Sequence, residues 1–226
     1  MSTTSNALDD PAVRAVLARE HRKSEDDDAQ LAAVRSRIEA ARQAGASATE
    51  QASHYPKTVY LAVAPDMGRF LYLTARTSEA QRIVEFGTSF GISTIYFAAA
   101  ATATGGQVIG SELEPSKADR ARANLEEAGL AAPVEIRVGD AMETLADVPA
   151  PIDLLFLDGW KDLYLPVLQM LEPKLAPGSL VLADNIHTFP DELAPYVDFV
   201  SRTDGPYRSV VLPFESGLAY SLFEGA

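Results

Sequence analysis

The 226-residue chain contains no cysteine, three histidines and one tryptophan, and it is poor in basic residues: 19 Lys and Arg face 32 Asp and Glu, a formal charge of −13. Without cysteine there is no disulfide framework, no thiolate nucleophile and no thiolate zinc site. So acidic a chain does not suggest the clustered Lys and Arg that nucleic acid or an anionic membrane surface requires. No apolar run approaches the roughly 20 residues that cross a bilayer, and the opening "MSTTSNALDDPAVRAV" lacks the basic start and apolar core of a signal peptide. The expectation is a cytoplasmic protein whose partners are small molecules or proteins, with no nucleic acid and no membrane. At 47% hydrophobic and 23% charged, the chain can bury one full core.

What is present falls into two parts. The first eighty residues carry helical patterning, over Leu8–Arg22, Ala29–Ala44 and Val59–Ala75, with almost nothing that reads as a strand. The acidic run "SEDDD" reads as a capping, dipole-compensating start of the second helix. "GASATEQASHYPKT" reads as a small-residue linker. Residues 1–55 are therefore expected to form a helical extension whose apolar stripes need cover, as a lid over the site or as the contact of a homodimer, ahead of a domain over residues 56–226. Beyond residue 80, strands "RIVEF", "QVIGSE", "VEIRV", "IDLLFLD" and "SLVLAD" alternate with helices, which predicts an α/β fold with a parallel sheet covered on both faces. "YRSVVLPF" and "GLAYSLF" read as a terminal hairpin that adds an antiparallel strand.

Ligands of such sheets sit over the carboxyl ends of the strands. The first strand ends in "VEFGTSFGIST", where Gly87 and Gly91 permit a tight turn into a helix whose free N–H groups face the ligand. Ser89 replaces the middle glycine of a dinucleotide fingerprint. Glu85 would repel a pyrophosphate but suits a cationic ligand such as an ammonium or a sulfonium. Glu112, about twenty residues after the glycines, is placed to accept hydrogen bonds from ribose hydroxyls, so the ligand reads as an adenosine compound and not NAD. "VGDAM" puts Asp140 and Ala141 beside the adenine. Asp158 closes the fourth strand and Asp184 and Asn185 the fifth. Two carboxylates and an amide oxygen converging there suit magnesium, or another divalent cation such as calcium or manganese, better than zinc. Lys161, three residues past Asp158, reaches the same site as a candidate neutral base, and Trp160 offers a flat apolar wall.

"GTSFG" is also a GxSxG string, and Ser89, Asp158, Asp184 and His187 have the chain order of a serine hydrolase. Only helices precede its strand, however, and His187 lies three residues from Asp184, both poor context for a nucleophile elbow. A non-catalytic adenosine-binding regulator is the third reading.

From about Val59 to the C-terminus the chain resembles the cation-dependent class I S-adenosylmethionine O-methyltransferases, on "VEFGTSFGIST", "SELEP", "GDAME", "FLDGWK" and "GSLVLADNI" in order. "LDGWKDLY" is especially similar to the catechol O-methyltransferase segment. The resemblance implies a Rossmann-like, doubly wound, mostly parallel seven-stranded sheet with an antiparallel terminal strand. It implies that Val63, Glu85, Gly87, Ser93, Glu112, Asp140, Ala141, Asp158 and Trp160 surround S-adenosylmethionine, with Val63 near its methionine end, Glu112 on its ribose and Trp160 by its adenine. Asp158, Asp184 and Asn185 would hold Mg2+, and Lys161 would be the general base for methyl transfer to a catechol-like or phenolic hydroxyl. Two departures mark the substrate side: Ala219 stands where the catechol enzyme has an acid, leaving Glu215 as a candidate substitute, and His187 and Phe189 would shape a different pocket wall.

Overall fold

The computed structural model describes residues 6–46, 50–51 and 53–225; the expected linker lies partly outside these. Seven strands form one sheet: β1 Arg82–Phe86, β2 Gln107–Glu112, β3 Val134–Val138, β4 Ile152–Leu157, β5 Leu175–Ala183, β6 Tyr207–Leu212 and β7 Leu218–Phe223, in the order β3-β2-β1-β4-β5-β7-β6. β1 to β5 pair in parallel, and β7 runs antiparallel to both β5 and β6. The terminal hairpin thus forms as expected, but its second strand is the one inserted against β5. The order reverses between β1 and β4, which opens the crevice where ligands of such sheets bind.

The helices are α1 Pro11–Ser24, α2 Asp27–Gln43, α3 Pro65–Thr77, α4 Ile92–Thr104, α5 Pro115–Glu127, α6 Ala141–Thr144, α7 Tyr164–Leu171 and α8 Pro190–Val200. Pro stands at the first turn of α1, α3, α5 and α8, where its missing N–H costs nothing and its fixed φ suits a helix start. α4 is buried on every side from Ile92 to Ala101, which explains why its sequence is apolar throughout and not striped. Two apolar layers result, one on each face of the sheet.

Two expectations are corrected. The third helix begins at Pro65 and not Val59, because residues 59–64 are held away from helical geometry: the N–H groups of Tyr60 and Leu61 donate to the Asp27 carboxylate, and the Tyr60 carbonyl accepts from the Ser89 hydroxyl. "SEDDD" does not act as a side-chain cap, since Asp26 at the N-cap position makes no capping hydrogen bond and Asp27 turns inward. The apolar stripe of α1 (Val13, Val16, Leu17) packs inside the chain's own core. Among the described residues, no helix is long and apolar enough to cross a membrane.

Candidate functional site

The β1–α4 turn is built by backbone conformations only some residues tolerate. Gly87 has φ +101°, and a Cβ there would lie 2.5 Å from the carbonyl oxygen of Asp158, so glycine is what lets the ends of β1 and β4 meet. Gly91, with φ +83°, starts α4. A cavity opens over this turn, lined on one side by Gly87, Thr88, Ser89, Phe90, Ile92 and Ser93, on the other by Tyr60, Leu61, Ala62 and Val63, and at its end by Asp158.

Glu85 is fully buried beneath the turn and accepts hydrogen bonds from Ser93 (2.7 Å), Thr94 (2.5 Å) and Thr88 (3.1 Å). Burial pushes its carboxyl up, opposed by these three hydroxyls. Its side chain is thus engaged with the turn, while Ser93 itself lines the cavity. Glu112, at the end of β2, accepts from Ser89 N–H (2.7 Å) and Glu114 N–H (2.9 Å), one on each oxygen, which leaves lone pairs on both. Asp140 caps α6 through Met142 N–H (2.8 Å), with Ala141 buried behind it. Trp160 meets the ring of Tyr55 edge-on at 4.7 Å.

Asp158 and Asp184 follow adjacent parallel strands, β4 and β5, and each is almost withdrawn from solvent. Asp184 accepts from Ser216 Oγ (2.6 Å) and Asn185 N–H (2.7 Å), both on Oδ1. Asn185 has φ +69°, a left-handed position that asparagine tolerates better than most residues. Lys161 Nζ lies 3.6 Å from Asp158, donates to Gly159 O and Tyr164 Oη (2.9 Å each), and sits 5.6 Å from the Phe189 ring centroid. Tyr164 in turn donates to the Asp184 carbonyl at 3.3 Å. Burial pushes Asp158 well above the usual carboxylate range, reinforced by the charges of Asp184 and Glu85 and opposed by Lys161. Burial also lowers Lys161, opposed by Asp158 and Asp184.

The two carboxylates and the Asn185 amide are oxygen donors suited to a hard divalent cation, and both hydrogen bonds to Asp184 fall on Oδ1, with no hydrogen-bond partner for Oδ2 among the described residues, so this donor set fits one. Among the described residues no group of three His, Cys, Asp or Glu forms a metal cluster. Sequence reasoning missed Tyr164 and Ser216, which fix Lys161 and Asp184, and the wall Tyr60–Ala62. The only signal for Tyr164 was its place one turn after Lys161 in "WKDLY". His187 is exposed and packed against Gly217, and Glu215 is exposed, whereas Phe189 reaches Lys161. The hydrolase reading is overturned: the Ser89 hydroxyl donates to the Tyr60 carbonyl (2.6 Å), with no histidine among its partners.

A family described as a methyltransferase domain matches residues 84–186. A catechol O-methyltransferase of Niastella koreensis is 34% identical over 165 residues, covering 71% of this chain and 67% of that protein. A catechol O-methyltransferase of Mycobacterium tuberculosis is 36% identical over 144 residues, covering 63% and 64%; the chain thus matches about two thirds of the length of each relative. Among solved structures, cofactor-bound Rv0187 from MTB superposes with TM-score 0.70 at 26% identity, covering 96% of this chain and 92% of that one. The O-methyltransferase TomG of Streptomyces achromogenes, in complex with SAM, gives 0.65 at 27% identity, covering 91% and 98%. These relatives displace the non-catalytic reading together with the hydrolase: the chain belongs to the class I S-adenosylmethionine-dependent O-methyltransferase family.

Proposed function

We propose that the protein transfers a methyl group from S-adenosylmethionine to a hydroxyl of a small catechol-like or phenolic substrate, with a divalent cation, Mg2+ first among them, at Asp158, Asp184 and Asn185. The observation that carries this reading is the double role of Asp158. It lines the glycine-turn cavity and also interacts with Asp184 and Lys161, so a ligand in the cavity and one at the acid pair would meet at this residue.

When bound, S-adenosylmethionine supplies an electrophilic methyl and a divalent cation acidifies and orients hydroxyl oxygens. The chain's own residues do the rest. Glu112 accepts the ribose hydroxyls, Ser93, Gly87 and Val63 border the methionine end, and Asp140, Ala141 and Trp160 border the adenine. Glu85 holds the turn through its three hydroxyl partners. Lys161 takes the substrate proton: a neutral amine has two N–H donors and one lone pair, and with the donors directed at Gly159 O and Tyr164 Oη the lone pair is left for the substrate. Burial around the base keeps water from competing, so alignment of oxygen and methyl supplies much of the rate.

The test is a methyl-transfer screen over catechols and simple phenols with S-adenosylmethionine, in Mg2+ and in chelator. Methylation that requires the cation and prefers vicinal hydroxyls is expected. Full activity in chelator removes the metal from the proposal, and a screen without any methylated phenol removes the substrate class.

A further inference from the structure

Tyr60 is held from four directions, and the four divide evenly between two parts of the chain. The glycine turn takes two: the Phe90 ring stacks on the Tyr60 ring with centroids 4.0 Å apart and planes 21° apart, and Ser89 Oγ donates to the Tyr60 carbonyl at 2.6 Å. The N-terminal helices take the others. Asp27, the first residue of α2, accepts the Tyr60 N–H at 2.9 Å and the Leu61 N–H at 2.7 Å. Glu20, on α1, accepts the Tyr60 hydroxyl at 2.6 Å and is fully buried among Arg19, Lys23 and Arg120.

An acid at a helix start stabilises the helix while remaining in water. Asp27 is instead only 8% exposed, a desolvation that two charge-assisted backbone hydrogen bonds must offset. What it secures is strained. Leu61 has φ +52°, a left-handed conformation in which its Cβ crowds the backbone, and the residue is 44% exposed where it lines the cavity. Ser89, facing it, has φ +48°. An exposed leucine held in a left-handed conformation gains nothing for the core, and such strain persists where the surrounding structure imposes it for use.

We infer that Asp27, with Glu20 behind it, is a positioning residue for the cofactor: it holds the wall Tyr60–Val63 against the glycine turn, so that docking of α1 and α2 and binding of S-adenosylmethionine favour each other. The inference rests on the reading that this cavity takes that cofactor. Coupling of this kind is reciprocal: whatever the docked helices add to cofactor affinity, the cofactor returns to helix docking. Asp27 touches no reacting atom and acts through Tyr60 and Leu61.

The experiment measures S-adenosylhomocysteine binding by calorimetry, cofactor KM and kcat, and amide hydrogen exchange over residues 27–43. Asp27→Ala is expected to weaken S-adenosylhomocysteine about tenfold, the scale of a lost hydrogen bond to a charged group. The KM for S-adenosylmethionine should rise by a similar factor, with kcat at saturation falling less than about threefold. Asp27→Asn, which keeps one acceptor oxygen, should recover part of the loss, and it decides the matter if the alanine variant does not fold. Tyr60→Phe, which keeps the ring stack and loses the Glu20 bond, should weaken binding about threefold. In the unmodified protein the ligand should slow exchange in residues 27–43, and in Asp27→Asn it should slow it less. If the Asp27 variants lower the melting temperature but bind as the unmodified protein does, or if the ligand leaves exchange over 27–43 unchanged, Asp27 is structural only and the inference fails. An unmodified protein that does not bind S-adenosylhomocysteine overturns the cofactor reading itself, a result distinct from either.

Discussion

Two buried carboxylate centres border the Tyr60 wall, Glu20 through the Tyr60 hydroxyl and Asp158 through the cavity it lines with Tyr60, and they differ in how fully their charge is compensated. Glu20 is met by Arg19, Lys23, Arg120 and the Tyr60 hydroxyl, and although burial works against its charge, these partners hold its pKa down at about 2. Asp158 and Asp184, with Glu85 below them, have one lysine among them, and burial pushes all three carboxyls up. A buried acid with a full set of partners belongs to the scaffold. A buried acid group short of cations is a standing cost that the folded chain carries until a positive ligand arrives, and a sulfonium and a divalent metal are such ligands.

The sharpest break of this comparison is at the under-compensated centre. Asp184→Ala should lower kcat by about 10³-fold or more, as expected when a group aimed at developing charge is lost, while circular dichroism and melting show a folded protein. Near-normal turnover would place Asp184 outside the chemistry. At the compensated centre, loss of the acid is expected to cost stability. Glu20→Ala leaves Arg19 and Arg120 without their buried partner and should cost about 3 kcal/mol, measured by denaturant unfolding. Because the Glu20 pKa is depressed in the folded state, its contribution is present above the ordinary carboxylate value of 4.5 and is lost as pH falls toward about 2. The gap between Glu20→Gln and the unmodified protein should therefore close on acidification.

Lys161 separates charge from proton transfer. Lys161→Ala should lower kcat about 10²-fold, partly rescued at higher pH. Lys161→Arg keeps the charge but cannot give up its proton, so it should be nearly as damaged; an active arginine variant would reduce Lys161 to a charge. A smaller effect is expected from Asp158→Asn on the ligand-free protein, about 1 kcal/mol of added stability at neutral pH. The charged form of Asp158 costs stability above its raised pKa, and that cost is relieved as pH falls through it, so the gain should shrink toward acid. The smallest effect belongs to the Arg42–Glu192 pair, which ties α2 to the first turn of α8 at the surface: Arg42→Ala should leave the melting temperature essentially unchanged, as thermal unfolding will show.

The strand ends of the site could be read in sequence because each comes directly after an apolar run. "RIVEF", "QVIGSE" and "IDLLFLD" announce buried parallel strands, and in such a sheet the residue after each strand faces the crevice. Glu112, Asp158 and Asp184 were therefore legible by position, and Lys161 by its spacing from Asp158. The Tyr60 wall was not. Its helical periodicity was read as part of a helix from Val59, and the side chains that hold its backbone out of a helix, Asp27 and Ser89, lie 33 and 29 positions from Tyr60 in sequence. Nothing local distinguishes Asp27 from its exposed neighbour Asp28.

The sequence by itself determined the alternation of strands and helices, the glycines at the turn and the order in which acids follow the strands, because these depend on periodicity of two or 3.6 and on residues a few positions apart. Only the tertiary structure decided that β7 inserts against β5, that Tyr164 and Ser216 fix Lys161 and Asp184, and that Glu20 is satisfied where Asp158 is not. Those outcomes depend on which distant groups share a volume from which water is excluded. There, the strength of every charge is set by its neighbours in space.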